Sequence, residues 1–80
     1  MKTTMITGPT AGIGKSLAYQ LAERGENLLL VARRESRLKS ISIDIETKFN
    51  VKVKYIVADL TLSDAPKKIY TFCKDEGLDI

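Results

Sequence analysis

The run Leu28-Leu29-Leu30-Val31-Ala32 constrains the fold more than any other stretch of the chain. Side chains of a strand alternate between two faces, so an unbroken apolar run leaves no face for water. A strand of this kind needs cover on both sides, as in the middle of a parallel sheet flanked by helices. The surrounding pattern supplies those helices. Residues 3–7 read as a short strand that runs into a glycine turn. Across residues 13–24, Ile13, Leu17, Ala18, Leu21 and Ala22 recur at helical spacing. After the apolar run, Leu38, Ile41, Ile45 and Phe49 mark one face of a second helix, with Asn50 as its stop. Residues 51–58 return to strand character, Val51, Val53 and Tyr55 alternating ahead of Ile56 and Val57. Ser63 or Asp64 is placed to cap a third helix, with Pro66 in its first turn, where a missing N–H costs nothing. Ile69, Phe72 and Cys73 give that helix an inner face, and Leu78-Asp79-Ile80 opens a fourth strand.

The resulting order β-α-β-α-β-α-(β) predicts an α/β fold: a Rossmann-like doubly wound parallel sheet, of which this is the N-terminal β-α-β-α-β-α portion. In that topology the fourth strand lies beside the first, giving the order 3-2-1-4. An apolar first strand with an open edge is something natural proteins avoid. Residues 1–80 are therefore expected to be the N-terminal part of a single domain in a longer protein, divided before its second half. The alternative is a small domain that covers the edge by pairing with another copy, and a homo-oligomer is the expectation in either case.

The stretch "MITGPTAGIGKS" decides what the sheet holds. A turn between a strand and a helix presents backbone N–H groups to phosphate at the helix N-terminus. Gly14-Lys15-Ser16 matches the end of an ATP-binding P-loop, but that motif requires glycine where Pro9 stands. Proline has no N–H and a fixed φ, which defeats a loop built from N–H groups. Ile56-Val57-Ala58-Asp59 has the form of a Walker B strand end, so the triphosphatase reading stays as the alternative. In the dinucleotide reading, Gly8 permits the tight turn, Gly12 lets a pyrophosphate approach the backbone, and Gly14 allows close helix–strand packing. The second strand then ends at Ala32, about where a nicotinamide-binding fold presents its ribose-selecting residue. The third strand ends in Asp59-Leu60 on the same edge of the sheet.

Composition narrows the remaining classes. A net charge of +3 is spread along the chain with no basic stripe or interleaved aromatics, so nucleic acid is not an expected partner. No apolar run approaches a membrane span, and the N-terminus enters a strand directly, so no membrane partner is expected and a cytoplasmic location is. The chain has no histidine, which removes His-based metal sites and Ser-His or Cys-His nucleophilic pairs; no metal site is expected. The single cysteine, Cys73, reads as a small buried hydrophobe in the third helix.

With Thr7 in front, "TGPTAGIG" resembles the cofactor signature of the short-chain dehydrogenase/reductase family, in its classical form. The resemblance continues through "LAERGENLLLVARR" and "VADL" and covers essentially the whole chain. It implies an oxidoreductase that interconverts alcohols and carbonyls of small molecules with NAD(H) or NADP(H). It also implies that Gly8, Gly12 and Gly14 form the glycine turn and that the Thr10 hydroxyl reaches the adenosine phosphates. Ile13 would pack beneath the pyrophosphate, Asp59 would accept a hydrogen bond from the adenine amino group, and Leu60 would line the adenine slot. "TGPT" and "GIGKS" are similar to a subgroup that reduces 3-oxoacyl chains or steroids.

Charge selects between the two cofactors. Members that prefer NAD place an acidic residue at the second strand's end, where this chain has Ala32 followed by Arg33 and Arg34. Without a carboxylate there is no repulsion toward a phosphate, and a guanidinium offers it a planar, multidentate partner. NADP(H) is the expected cofactor, with Arg33 and Arg34 as its selecting residues. The family's catalysis implies a Tyr-x-x-x-Lys pair, and Tyr70-Thr71-Phe72-Cys73-Lys74 matches it literally. That match falls on the third helix, whereas the family carries its pair after the fifth strand. No catalytic residue is therefore assigned within these residues.

Overall fold

The computed structural model of the chain describes residues 2–8 and 12–80. Its elements run in the expected order: β1 (Thr4–Thr7), α1 (Gly12–Glu23), β2 (Leu28–Ala32), α2 (Glu35–Lys48), β3 (Val53–Val57) and α3 (Ala65–Asp75). The strands form one parallel sheet in the order β1-β2-β3, with Thr4 beside Leu28 and Leu28 beside Val53. The apolar run becomes the central strand, and its residues 28–31 are fully buried.

Alternation along β2 divides the core in two. Leu28 and Leu30 join Ile6, Ala18, Ala22, Leu38, Ile41, Ile45 and Val53 under α1 and α2. Leu29 and Val31 join Ile56, Ala58 and Cys73 under α3 on the opposite face. Burial pushes the Cys73 thiol pKa up, in keeping with a packing role. After α3 the chain returns to the free side of β1: Lys2 and Asp79 form a parallel bridge, and the Thr3 N–H donates to the Asp79 carbonyl at 2.8 Å. The fourth strand thus opens beside the first, as the topology requires.

Ile13 and Leu17 lie outside the inner face of α1, which contacts the sheet through Ala18 and Ala22; Ile13 is 88% exposed. Two local expectations are corrected. Asp64 occupies the N-cap of α3 but has helical backbone angles (φ −90°, ψ −5°) and makes no side-chain cap bond. A cap needs an extended backbone to swing its carboxylate over the first turn. The entry to α3 is made instead by successive turns, Leu62 N–H to Asp59 carbonyl and Ala65 N–H to Leu62 carbonyl. At the end of α2, Phe49 rather than Asn50 takes the extended C-cap position.

Among the described residues no helix is long and apolar enough to cross a membrane, and no cluster of acidic residues and cysteine could hold a metal ion.

Candidate cofactor site

The carboxyl ends of the three strands lie side by side because the ladder continues one residue beyond β1 and β3. Gly8 N–H donates to the Val31 carbonyl at 3.0 Å, and Ala58 N–H donates to the Ala32 carbonyl at 2.9 Å. A groove of about 560 Å³ opens along this edge. Gly8, Ala32, Arg33, Arg34 and Arg37 line it together with Asp59, Leu60 and Thr61. The expected residues Gly8, Arg33, Arg34, Asp59 and Leu60 are thereby brought to one place. Leu60 is half exposed at 50%, so it is a wall of the groove rather than part of the core.

Gly8 and Gly12 carry the geometry of the turn. Their φ values are +64° and +61°, a region that side chains rarely adopt, and a Cβ built on either would meet nothing within 4 Å. Both glycines are required by backbone conformation, and each leaves open space where a ligand could approach the main chain. Gly12, Ile13 and Gly14 make the first turn of α1. Pro9 and Thr10 lie outside the described residues.

The electrostatics of the groove are one-sided. No carboxylate pairs with Arg33, Arg34 or Arg37, since the ion pairs among described residues are Lys48–Asp44 and Lys54–Glu76. Asp59 is the groove's acid, and it is held by its neighbour: Thr61 donates to Asp59 Oδ1 from its hydroxyl at 2.6 Å and from its backbone N–H at 2.9 Å. These bonds, the hydroxyl's foremost, lower the Asp59 pKa below its ordinary value, with a smaller contribution from the Arg33 charge. Oδ2 keeps its acceptor capacity.

The start of α2 adds donors. Arg34 is its N-cap, extended and without a side-chain cap bond. The first helical N–H to find a carbonyl is that of Leu38, on Arg34 at 3.3 Å. Open N–H groups at a helix start, together with unpaired guanidinium groups, make a surface suited to phosphate. The two helices beside this edge are tied by a contact the sequence reading missed. Tyr19 of α1 donates its hydroxyl to Asp44 of α2, and Lys48 pairs with the same carboxylate oxygen at 3.2 Å. Burial, and then this bond, push the Tyr19 pKa up to about 12; the same bond lowers that of Asp44. Tyr19 also packs edge-on against Phe49, with ring centroids 6.4 Å apart.

Arg37 and Thr61 were likewise missed. A signal existed for each: Arg37 stands three residues after Arg34 at a helix start, and Asp59-Leu60-Thr61 has the spacing of an Asx turn. Tyr70 and Lys74, by contrast, line a mainly apolar hollow with Met5, Ile69 and Cys73, which adjoins the groove at Leu60.

These features lie at the carboxyl edge of a Rossmann-like sheet. The chain belongs to the short chain dehydrogenase family, whose match spans residues 2–80. With the family shown, the ATP-binding alternative falls. The chain is 41% identical over 78 residues to the very-long-chain 3-oxoacyl-CoA reductase of Candida glabrata, covering 95% of this chain and 22% of that protein. It is 37% identical over 76 residues to a 7beta-hydroxysteroid dehydrogenase of Mediterraneibacter gnavus, covering 95% and 28%. Among solved structures it resembles an alcohol dehydrogenase from the archaeon Thermococcus sibiricus complexed with 5-hydroxy-NADP, with a TM-score of 0.86, 30% identity, and coverage of 94% of this chain and 32% of that one. A short-chain dehydrogenase from Sphingobium yanoikuyae in complex with NADPH gives a TM-score of 0.82 and 33% identity, over 90% of this chain and 28% of that one. The chain thus spans under a third of the length of each of these relatives.

Proposed function

We propose that these residues form the adenosine- and pyrophosphate-binding half of an NADP(H)-dependent short-chain oxidoreductase acting on a small-molecule carbonyl or alcohol. The observation that carries the cofactor choice is the end of β2, where Ala32 stands in place of an acid and is followed by two guanidinium groups that form no ion pair among the described residues. The NADPH and 5-hydroxy-NADP bound in two of the similar structures support the same reading.

The open left-handed turn at Gly8 and Gly12 fits a pyrophosphate approaching the backbone. Thr10, Ile13 and Gly14 complete that turn in this reading. Arg33 and Arg34 hold the ribose phosphate through charge-assisted hydrogen bonds, and Asp59 accepts the adenine amino proton at Oδ2 while Leu60 packs against the ring. When bound, the nicotinamide supplies or takes up the hydride that interconverts carbonyl and alcohol. No part in that step is assigned to Tyr70 and Lys74, which lie on α3 and line an apolar hollow that adjoins the cofactor groove at Leu60. The substrate classes of the relatives, a 3-oxoacyl thioester and a steroid, place a bulky apolar carbonyl compound first among substrates to try.

Binding of NADPH and NADH to the full-length protein tests this. A charge-assisted hydrogen bond is worth roughly 1.5–3 kcal/mol, or about 10- to 150-fold in affinity. Arg33→Ala is expected to weaken NADPH by a factor in that range and to leave NADH nearly unchanged. Ala32→Asp is expected to go further, repelling the phosphate while offering two bonds to an unphosphorylated ribose. Equal weakening of both cofactors by Arg33→Ala would overturn the assignment.

A further inference from the structure

We infer that Arg37 is a third specificity-determining contact for the cofactor's ribose phosphate, an inference that rests on the NADP(H) reading above. Arg37 sits in the first turn of α2, lines the same groove as Arg33 and Arg34, and is solvent-exposed. It also borders an adjoining depression with Lys15, Ser36 and Ser40, so its side chain lies between the start of α1 and the groove.

Three of the chain's four arginines therefore crowd one strand end. Among the described residues no ion pair engages them, and the one acid lining the groove, Asp59, is hydrogen-bonded by Thr61 and acts on Arg33 only through its charge. Three guanidinium groups beside one carboxylate leave a net positive field, which an entering anion relieves. A phosphate monoester carries about −1.5 to −2 charge near neutral pH and three acceptor oxygens. One guanidinium fork satisfies two of those oxygens at most. A second cation lining the same groove can take the third, and Arg37, in the first turn of α2, is such a cation. Unphosphorylated ribose has nothing for Arg37 to hold, so its contribution falls on NADPH alone.

The test measures dissociation constants of NADPH and NADH for the full-length protein and for Arg37→Ala, Arg37→Lys and Arg33→Ala. Arg37→Ala is expected to weaken NADPH about 3- to 10-fold, the scale of a charge contact that stays in touch with water, and to leave NADH within about twofold. Arg37→Lys keeps the charge without the fork and is expected to recover part of the loss. If Arg37→Ala weakens both cofactors equally or neither, while Arg33→Ala remains selective against NADPH, the role of Arg37 is overturned and the NADP(H) reading stands. If the wild-type protein binds NADH as tightly as NADPH and Arg33→Ala is not selective, that reading falls and the Arg37 contact falls with it. The exposed position lets circular dichroism confirm that each variant is folded.

Discussion

At the amino ends of the strands, polar side chains are spent on the fold. Glu46 accepts the backbone N–H of Val53 at 2.9 Å, Asn27 accepts that of Lys52 at 2.9 Å, and Thr4 donates its hydroxyl to Glu26 at 2.8 Å. At the carboxyl ends more is left open. Among the described residues Arg33, Arg34 and Arg37 have no ion-pair partner, α2 begins without a side-chain cap, and Gly8 takes a left-handed φ. The same sheet joins both ends, so the contrast does not come from differences in packing. One end has used its hydrogen-bonding capacity to close the structure; the other spends part of it, in Thr61 donating to Asp59 and Lys68 donating to the Val57 carbonyl at 2.6 Å, and leaves its guanidinium groups outside any ion pair among the described residues. Parallel strands favour this division, because their crossover helices all begin at the carboxyl edge and bring their open N–H groups to it.

Three substitutions break or sharpen the contrast, beginning with the largest expected effect. Glu46→Ala leaves the N–H of the buried Val53 without its acceptor, and is expected to cost about 1–2 kcal/mol in chemical denaturation. The ratio of NADPH to NADH affinity should not move; if it does, the two ends are not separate in function.

Tyr19→Phe removes the hydroxyl that joins α1 to α2 and is expected to cost about 1 kcal/mol at neutral pH. Its pH dependence has a definite sign. The Tyr19 pKa is about 12 in the folded chain against 10.0 ordinarily, so the neutral phenol is favoured by folding. That stabilisation is full below pH 10 and is lost as pH rises toward 12. Urea midpoints of the wild type should therefore fall more steeply across this window than those of Tyr19→Phe, and parallel curves would show that the bond contributes nothing.

Thr61→Val has the smallest expected effect on stability, because the Asp59 carboxylate stays in touch with water, which screens its interactions. The folded Asp59 pKa lies below its ordinary 3.8, so its stabilisation is present above that value and is lost as pH falls through the folded one. The variant should flatten the acid limb of the stability profile. An unchanged acid limb would show that the Thr61 bonds do not hold the carboxylate.

The order of elements was legible in the sequence because each apolar pattern has one compatible period. Leu28 to Ala32 has no wet face, so β2 had to be central; Leu38, Ile41 and Ile45 could only face inward together. Gly8 and Gly12 were legible for a related reason, since a backbone at φ near +60° accepts glycine with least strain. Which members of the α1 stripe face inward was not legible, and Ile13 and Leu17 do not. Periodicity gives an apolar stripe, whereas which edge of the stripe meets the sheet depends on how the helix rolls against β1 and β2.

What the sequence determined by itself is local: the strand and helix order, the left-handed turn, and an end of β2 with arginines where an acid could have stood. Only the tertiary structure decided which distant groups meet. Tyr19 and Asp44 are 25 positions apart, and their bond exists because α1 and α2 pack on the same face of the sheet. Arg37 reaches the groove, and Asp59 comes to line it with Arg33, because the parallel register sets the ends of β2 and β3 level, with Ala32 beside Val57. Such meetings depend on how helices rotate and how strands align, and both are fixed by packing summed over the whole core, which no local pattern encodes.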